Sequence, residues 1–234
     1  MKVLLISGTN HKGSTYTIGR MLADKLNADE IKEVFLPKDM PKQCRGCTRC
    51  IIEDEAKCPD YSFIKPITDS IDEADILILT SPVYVLHVTG QMKSLLDHYA
   101  YRWMVHRPSE KMFSKQAVCI STAGGAGMKS TNKDMADSLK FWGVGRIYTY
   151  GVAVAATSWE SVSASKKQKI EKKINRIAQK LKKRQNNVTP SFKVKVLFYL
   201  MRIFQKRIKI NPVDYDYWEA KGWLGKRRPW KTAT

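Results

Sequence analysis

The stretch Met1-Lys2-Val3-Leu4-Leu5-Ile6-Ser7-Gly8-Thr9-Asn10-His11-Lys12-Gly13-Ser14-Thr15 decides how the rest of the chain is read. Val3 to Ile6 is a continuous apolar run, not an alternating one, so both of its faces are expected to be covered, as in a parallel sheet. After Thr15, the residues Ile18, Met21, Leu22, Ala23 and Leu26 recur at helical spacing. The unit is therefore strand, polar loop, helix. Its loop packs five hydroxyl or amide side chains and two glycines against a helix N-terminus. Unpaired N–H groups and the positive end of the helix dipole make such a place an anion site, and Ser or Thr oxygens can complete a phosphate's shell. Ser7, Thr9, His11, Gly13, Ser14 and Thr15 are the candidate ligands of a monophosphate. No Gly-Lys-Ser/Thr closes the loop and the three-glycine dinucleotide spacing is missing, so neither of those motifs applies. The plainer alternative is an N-capping loop.

Working outward, the same alternation repeats. Glu30 to Leu36 reads as a second strand, and Ile64, Ile67 and Ile71 mark a helix leading to a third strand, Ile76 to Thr80. A helix begins near Gly90 and continues through Leu95, Leu96 and Tyr99. Ala117 to Ser121 forms a fourth strand, followed by a Gly-rich loop and a helix to Trp142. Arg146 to Val154 is the fifth strand, and Ile170, Ile174, Ile177 and Leu181 line one face of a final basic helix. Five strands alternating with helices predict a right-handed, doubly wound α/β fold: a five-stranded parallel sheet in three layers. Ligands in such sheets sit beyond the C-terminal strand ends, where strand order reverses. The boundary signal Asn186-Asn187-Val188-Thr189-Pro190 divides the chain into a domain of residues 1–187 and a basic, aromatic, helical extension of residues 188–234.

Composition narrows the function. With 43% hydrophobic residues in 234, the chain can bury a sizeable core despite a formal charge of +19. No apolar run approaches the roughly 20 residues of a membrane-spanning helix, and the apolar start is too short for a secretory segment, so a cytoplasmic protein is expected. The charge is concentrated: residues 161–234 hold 21 Lys+Arg against 4 Asp+Glu. That asymmetry reads either as a tail meeting an anionic surface or as a solvated basic helix face.

Three segments in order carry a family resemblance. They are Ser7-Gly8-Thr9 through Ser14-Thr15; Thr80-Ser81-Pro82-Val83-Tyr84-Val85 with Gly90-Gln91-Met92-Lys93-Ser94-Leu95-Leu96-Asp97; and Ser121-Thr122-Ala123-Gly124-Gly125. Together they resemble the flavodoxin-like NAD(P)H-dependent FMN reductase family, including its iron-sulfur flavoprotein branch, over roughly residues 1–155. The resemblance implies that the first loop holds the FMN phosphate, that Pro82, Val83, Tyr84 and Val85 wrap the edge of the isoalloxazine, and that Thr122, Ala123, Gly124 and Gly125 border its other side. It also implies a homodimer or larger assembly with the flavin near the subunit interface. The residues themselves agree, since all three loops follow strands and converge at one sheet edge. Backbone N–H groups near Val83 to Val85 and Thr122 to Gly125 are expected to meet the ring, and Tyr84 reads more readily as packing than as a stacking partner. Two departures stand out: Asn10-His11-Lys12 where the family commonly has an Arg, and Leu96-Asp97-His98 where it has Leu-Asp-Arg.

Four of the five cysteines, Cys44, Cys47, Cys50 and Cys58, fall in one 15-residue stretch. Their C-x2-C-x2-C-x7-C spacing lets thiolates converge on one inorganic core, and four is the number a [4Fe–4S] cluster takes. The pattern is similar to the iron-sulfur flavoprotein branch. A metal-free thiol loop and a zinc or redox-thiol site stand beside that reading. Cys119, in mid-strand, reads as a small core residue.

By the resemblance, the protein takes hydride from NAD(P)H on FMN and passes electrons to a small-molecule or protein acceptor; the alternative is a non-catalytic flavin electron carrier. His87 reads as a solvated or capping residue, and His106 and Arg107 could meet a nicotinamide phosphate. In the extension, Phe192 to Ile210 mixes apolar and basic residues. The first reading is packing over its own domain or a partner subunit, which Asp214-Tyr215-Asp216-Tyr217-Trp218 favours. The second is a basic interfacial helix on an acidic membrane, or a dock for an acidic partner. Nucleic-acid binding ranks third because no recognised motif accompanies the charge.

Overall fold

The computed structural model describes residues 1–209 and 211–231, without the side chains of residues 103–105. Ile210 and residues 232–234 of the expected extension lie outside the described residues.

The apolar run at the start becomes β1 (Lys2–Ser7), an inner strand of a sheet with β2 (Glu30–Phe35), β3 (Ile76–Pro82), β4 (Gln116–Ala123) and β5 (Arg146–Ala153). The order is β2-β1-β3-β4-β5 and every pairing is parallel. This is the flavodoxin-like arrangement, and its order reverses between β1 and β3. Hydrophobic patterning explains the places. β1, β3 and β4 are buried nearly throughout, whereas β2 and β5, which flank them, are only partly covered.

Alternate residues of each inner strand feed two cores. Leu4, Ile6, Leu77, Leu79, Ala117 and Cys119 face α3 (Tyr61–Glu73), α4 (Gly90–His98) and α5 (Met128–Phe141). Val3, Leu5, Ile76, Ile78, Val118 and Ile120 face α1 (Ser14–Lys25) and α6 (Ala164–Arg184). Cys119 is fully buried in the first of these, as its place in mid-strand predicts. A short α2 (Arg49–Ile52) lies within the cysteine stretch.

The extension forms α7 (Phe192–Arg207) and α8 (Pro212–Ala220), which build a third core on Phe113. Val194, Phe198, Met201, Trp218 and Trp223 are buried there, and Phe198 stacks on Trp218 with ring centroids 4.7 Å apart. Ser191 N–H donates to the Gly145 carbonyl and Arg146 Nε to the Thr189 carbonyl, so the extension is anchored where β5 begins, at the end of the sheet away from the switch point.

Candidate functional site

The loops after β1, β3 and β4 meet at the C-terminal strand ends. Gly8 N–H donates to the Thr80 carbonyl at 2.7 Å, and Thr89 Oγ1 donates to the Gly8 carbonyl at 2.7 Å while accepting from Met92 N–H, which caps α4. A Cβ at Gly8 would stand 3.0 Å from both Thr80 O and Thr89 Oγ1, so only glycine lets the loops approach this closely. Val83 N–H then donates to Thr122 O, and Val154 N–H to Ala123 O. These bonds tie four strand ends around a cleft of about 220 Å³.

Thr9, His11, Gly13, Ser14 and Thr15 line the cleft together with Pro82, Val83, Tyr84, Thr122, Ala123 and Gly124. Ser7, Val85 and Gly125 are not on its wall; the Ser7 hydroxyl is turned back onto the Thr9 carbonyl at 2.9 Å. Val154, Ala156 and Thr157, from the loop after β5, also line it. No motif marked that loop; only its place after a strand could have pointed to it.

Helix α1 starts without a side-chain cap, since Gly13 holds the N-cap position. Thr89, Ser163, Ser191 and Asn211 cap their helices, whereas α1, like α3 and α5, begins without a side-chain cap. The first N–H groups of α1 stay open beside the hydroxyls of Ser14 and Thr15. The Thr15 and Thr122 hydroxyls hydrogen-bond each other across the floor. The lining includes no Asp, Glu, Lys or Arg. A Cβ at Gly124 or Gly125 would meet nothing within 4 Å, which leaves room for a flat ring. Lys12 is turned away, its ammonium over the rings of Tyr16 and Phe35 at 5.3 and 5.2 Å. Donor chemistry and open space both fit a phosphate joined to an apolar planar group.

Two expectations for this region are corrected. Tyr84 is not packed: Tyr84 and His87 pair across a tight turn whose two central residues, Val85 and Leu86, have φ of +50° and +66°. That turn swings Tyr84 outward, half exposed, and leaves Val85 95% exposed. The Val83 and Tyr84 N–H groups are not open to a ring either, because Thr122 O and His87 O accept them. His87 is solvated as expected, its side chain 65% exposed, with Nδ1 2.9 Å from Asp134 Oδ2.

The cysteine stretch lies elsewhere, on the α3–α4 side. Cys44 and Cys47 are exposed, Cys50 and Cys58 half-buried. Left-handed Gly46 and Thr48, with φ of +66° and +60°, coil the loop tightly. Burial pushes the Cys50 thiol up to about 11, and the nearby charges of Cys58, Cys44 and Cys47 push it the same way. Cys58 is also raised, chiefly by burial, and its sulfur lies within 4.8 Å of ligand atoms of Asp60 and His98. His98, a departure from the family pattern, hydrogen-bonds the Ser94 carbonyl at 2.8 Å and Asp60 at 3.3 Å.

Arg107 and His106 do not reach the cleft, so the nicotinamide-phosphate expectation fails. Arg107 is buried against the cysteine loop, donating to the carbonyls of Cys50 and Ile51, and pairs with the fully buried Asp214 of α8. His106 Nδ1 bonds the other oxygen of Asp214, and Asn211 Nδ2 donates to Ile51 O at 2.8 Å. The extension thus clasps the cysteine loop.

Fold and cleft define a flavodoxin-like α/β protein with an open cleft at the β1–β3 switch point. Within that class, residues 1–159 match the NADPH-dependent FMN reductase family, and the chain belongs to it. It is accordingly an NAD(P)H-dependent oxidoreductase that works with FMN. It is similar to an iron-sulfur flavoprotein of Archaeoglobus fulgidus, 26% identical over 199 residues, covering 83% of this chain and 86% of that one. An iron-sulfur flavoprotein of Methanocaldococcus jannaschii is 35% identical over 101 residues, 42% of this chain and 51% of that one. Among solved structures, apo NADH:FMN oxidoreductase aligns with a TM-score of 0.54 at 16% identity, covering 76% of this chain and 89% of that one. An FMN-dependent NADH-azoreductase of Bacillus anthracis, solved with FMN, aligns at 0.57 and 12%, covering 78% and 100%. At these identities the structural likeness is one of fold. Among the described residues, no helix is long and apolar enough to cross a membrane.

Proposed function

We propose that residues 1–187 form an FMN domain whose cleft, at Thr9 to Thr15, Pro82 to Tyr84 and Thr122 to Gly124, receives the flavin, and that Cys44, Cys47, Cys50 and Cys58 hold a [4Fe–4S] cluster serving as electron outlet. The observation that carries the first part is the uncapped start of α1 opening into an uncharged cleft between three strand ends. The second part is supported by four free thiols on one 15-residue stretch and by relatives named as iron-sulfur flavoproteins.

Bound FMN would supply the hydride acceptor, and a cluster the single-electron steps that follow. The chain's own residues orient and stabilise. The open N–H groups of α1, with Ser14 and Thr15, hold the phosphate. The space over Gly124 and Gly125 admits the ring edge-on. Arg107 sets a buried positive charge beside the Cys50 and Ile51 carbonyls, which favours thiolates in a loop where burial alone disfavours them. The acceptor is a small molecule or a redox partner. The exposed apolar turn at Tyr84 to Leu86 is suited to cover by a second subunit of a homodimer.

Purification without oxygen tests both parts on one sample, by visible absorption together with iron and acid-labile sulfide assays. Flavin bands with about four irons per chain, lost from a Cys47→Ser/Cys50→Ser variant that keeps its flavin, are expected. Flavin with negligible iron removes the cluster, and no flavin after incubation with FMN removes the cleft assignment. Steady-state NAD(P)H oxidation by the loaded protein separates the enzyme from a pure carrier.

A further inference from the structure

Helix α7 has two apolar faces, and only one of them is used. Val194, Phe198, Met201 and Gln205 are buried against the domain. Half a turn away, Phe192, Val196, Tyr199, Leu200, Ile203 and Phe204 are exposed, Phe192 to 81%. The stripe continues into Ile208, which is 55% exposed. Lys193, Lys206, Arg207 and Lys209 border it, all exposed, and none of the four forms an ion pair among the described residues. No Asp or Glu occurs between Phe192 and Lys209. An apolar ridge of this length, free of acids and rimmed by cations that have no carboxylate partner among the described residues, is not accounted for by packing within the chain.

We infer that the outer face of α7 docks the protein on an anionic lipid bilayer, lying in the interface without crossing it. Charge decides among occupants. Two copies meeting through this face would bring their cations together with no carboxylate between them, which disfavours self-association. A bilayer takes a convex ridge without shape complementarity: apolar side chains enter the acyl boundary while Lys and Arg stems reach back to acidic headgroups. The placement also suits the redox role. The extension is anchored at the start of β5, so docking leaves the cleft at the opposite strand ends open to solvent. The inner face does not compete with docking, since Phe198, Trp218 and Trp223 keep α7 on the domain.

The test uses full-length, FMN-loaded protein in co-sedimentation with phosphatidylcholine vesicles that either contain or lack about a third phosphatidylglycerol. Binding to the acidic vesicles at low salt is expected, falling steeply toward about 0.5 M salt. Leu200→Glu/Ile203→Glu should weaken it at least about 10-fold, and Lys193→Gln/Lys206→Gln/Arg207→Gln about 10- to 100-fold at low salt. Both variants substitute exposed residues, so near-ultraviolet dichroism and NAD(P)H oxidation without vesicles should match the parent. Absence of binding by the parent, equal binding to neutral vesicles, or binding indifferent to both variants overturns the inference. So does a parent dimer that Leu200→Glu/Ile203→Glu converts to monomer while vesicle binding is unchanged, which would assign the stripe to a second copy.

Discussion

At the C-terminal strand ends the chain leaves polar groups open, with an uncapped α1, hydroxyls on the floor and no fixed charge in the wall. At the opposite end it buries charge and pairs it, although Arg102 Nε and Arg107 Nε have no hydrogen-bond partner among the described residues. Arg102 pairs with Asp72 at 2.8 Å, Arg107 with Asp214, and the Lys115 ammonium donates to the Asp72 and Ala74 carbonyls. Buried charge costs stability unless partnered, so the far end is a place where one lost partner is expensive. The cleft end gives up little stability for its open groups because solvent or a ligand can reach them. Binding and stability should therefore respond to substitution at different ends of the same sheet.

The largest test of that separation is Asp214→Ala. It strands Arg107 and His106 together, and breaking a buried pair costs about 3–5 kcal/mol. Denaturant unfolding should show that loss, while FMN affinity of the folded fraction, followed by flavin fluorescence, stays within about twofold. A parallel fall in FMN affinity would mean that the ends are coupled. Measured on the same variant, a drop in iron content would show that the clasp on the Cys50 and Ile51 carbonyls holds the cysteine loop in shape.

Lys115 gives the comparison a pH signature. Burial lowers its ammonium to about 8, with Lys111 and Arg102 adding to the effect and Asp72 and Asp75 opposing it. A lysine whose folded value lies below its unfolded one destabilises most below the folded value. That penalty is relieved as pH rises from about 8 toward 10.5. Relative to Lys115→Met, the parent should thus gain on the order of 2 kcal/mol across this window. A flat difference would place the ammonium in contact with water.

At the cleft end, Thr15→Val removes the hydroxyl that faces Thr122 without changing shape. FMN should bind about 10-fold more weakly, the equivalent of one hydrogen bond, while unfolding shifts by less than about 1 kcal/mol. Larger destabilisation with unchanged FMN affinity would recast the floor as a structural bond only.

What the sequence disclosed follows the same division. The apolar run at Val3 to Ile6 and its later counterparts dictate a parallel sheet, because only doubly covered strands tolerate such runs. The polar loop before Ser14 was legible as part of a cleft at the strand ends because its position is local to one strand and one helix. Thr89 was not, since its bond to Gly8 joins residues 81 positions apart. Nor was the clasp, where Arg107 and Asp214 are 107 apart and nothing local to either names the other as its partner. The outward face of α7 was hidden for another reason: an all-round apolar and basic pattern does not say which side the domain takes.

The turn at Val85 and Leu86 supplies the smallest and most local test. A β-branched residue at φ of +50° sits in the left-handed region, where L-residues lose about 1–2 kcal/mol. Val85 is almost fully exposed and recovers little of that through packing within the chain. Two consecutive left-handed residues in a tight hairpin turn ordinarily select Asn and Gly. Val85→Asn should therefore raise stability by up to about 1 kcal/mol in the monomer, because Asn tolerates this conformation without the backbone entropy cost of glycine. The sign carries the information. A gain in stability accompanied by weaker FMN binding or weaker dimerisation would show that the strain is kept for a contact this turn makes outside the chain. A gain with neither would make the turn a tolerated local defect, and no gain at all would show that Val85 is held by packing, which would remove strain from the cleft end.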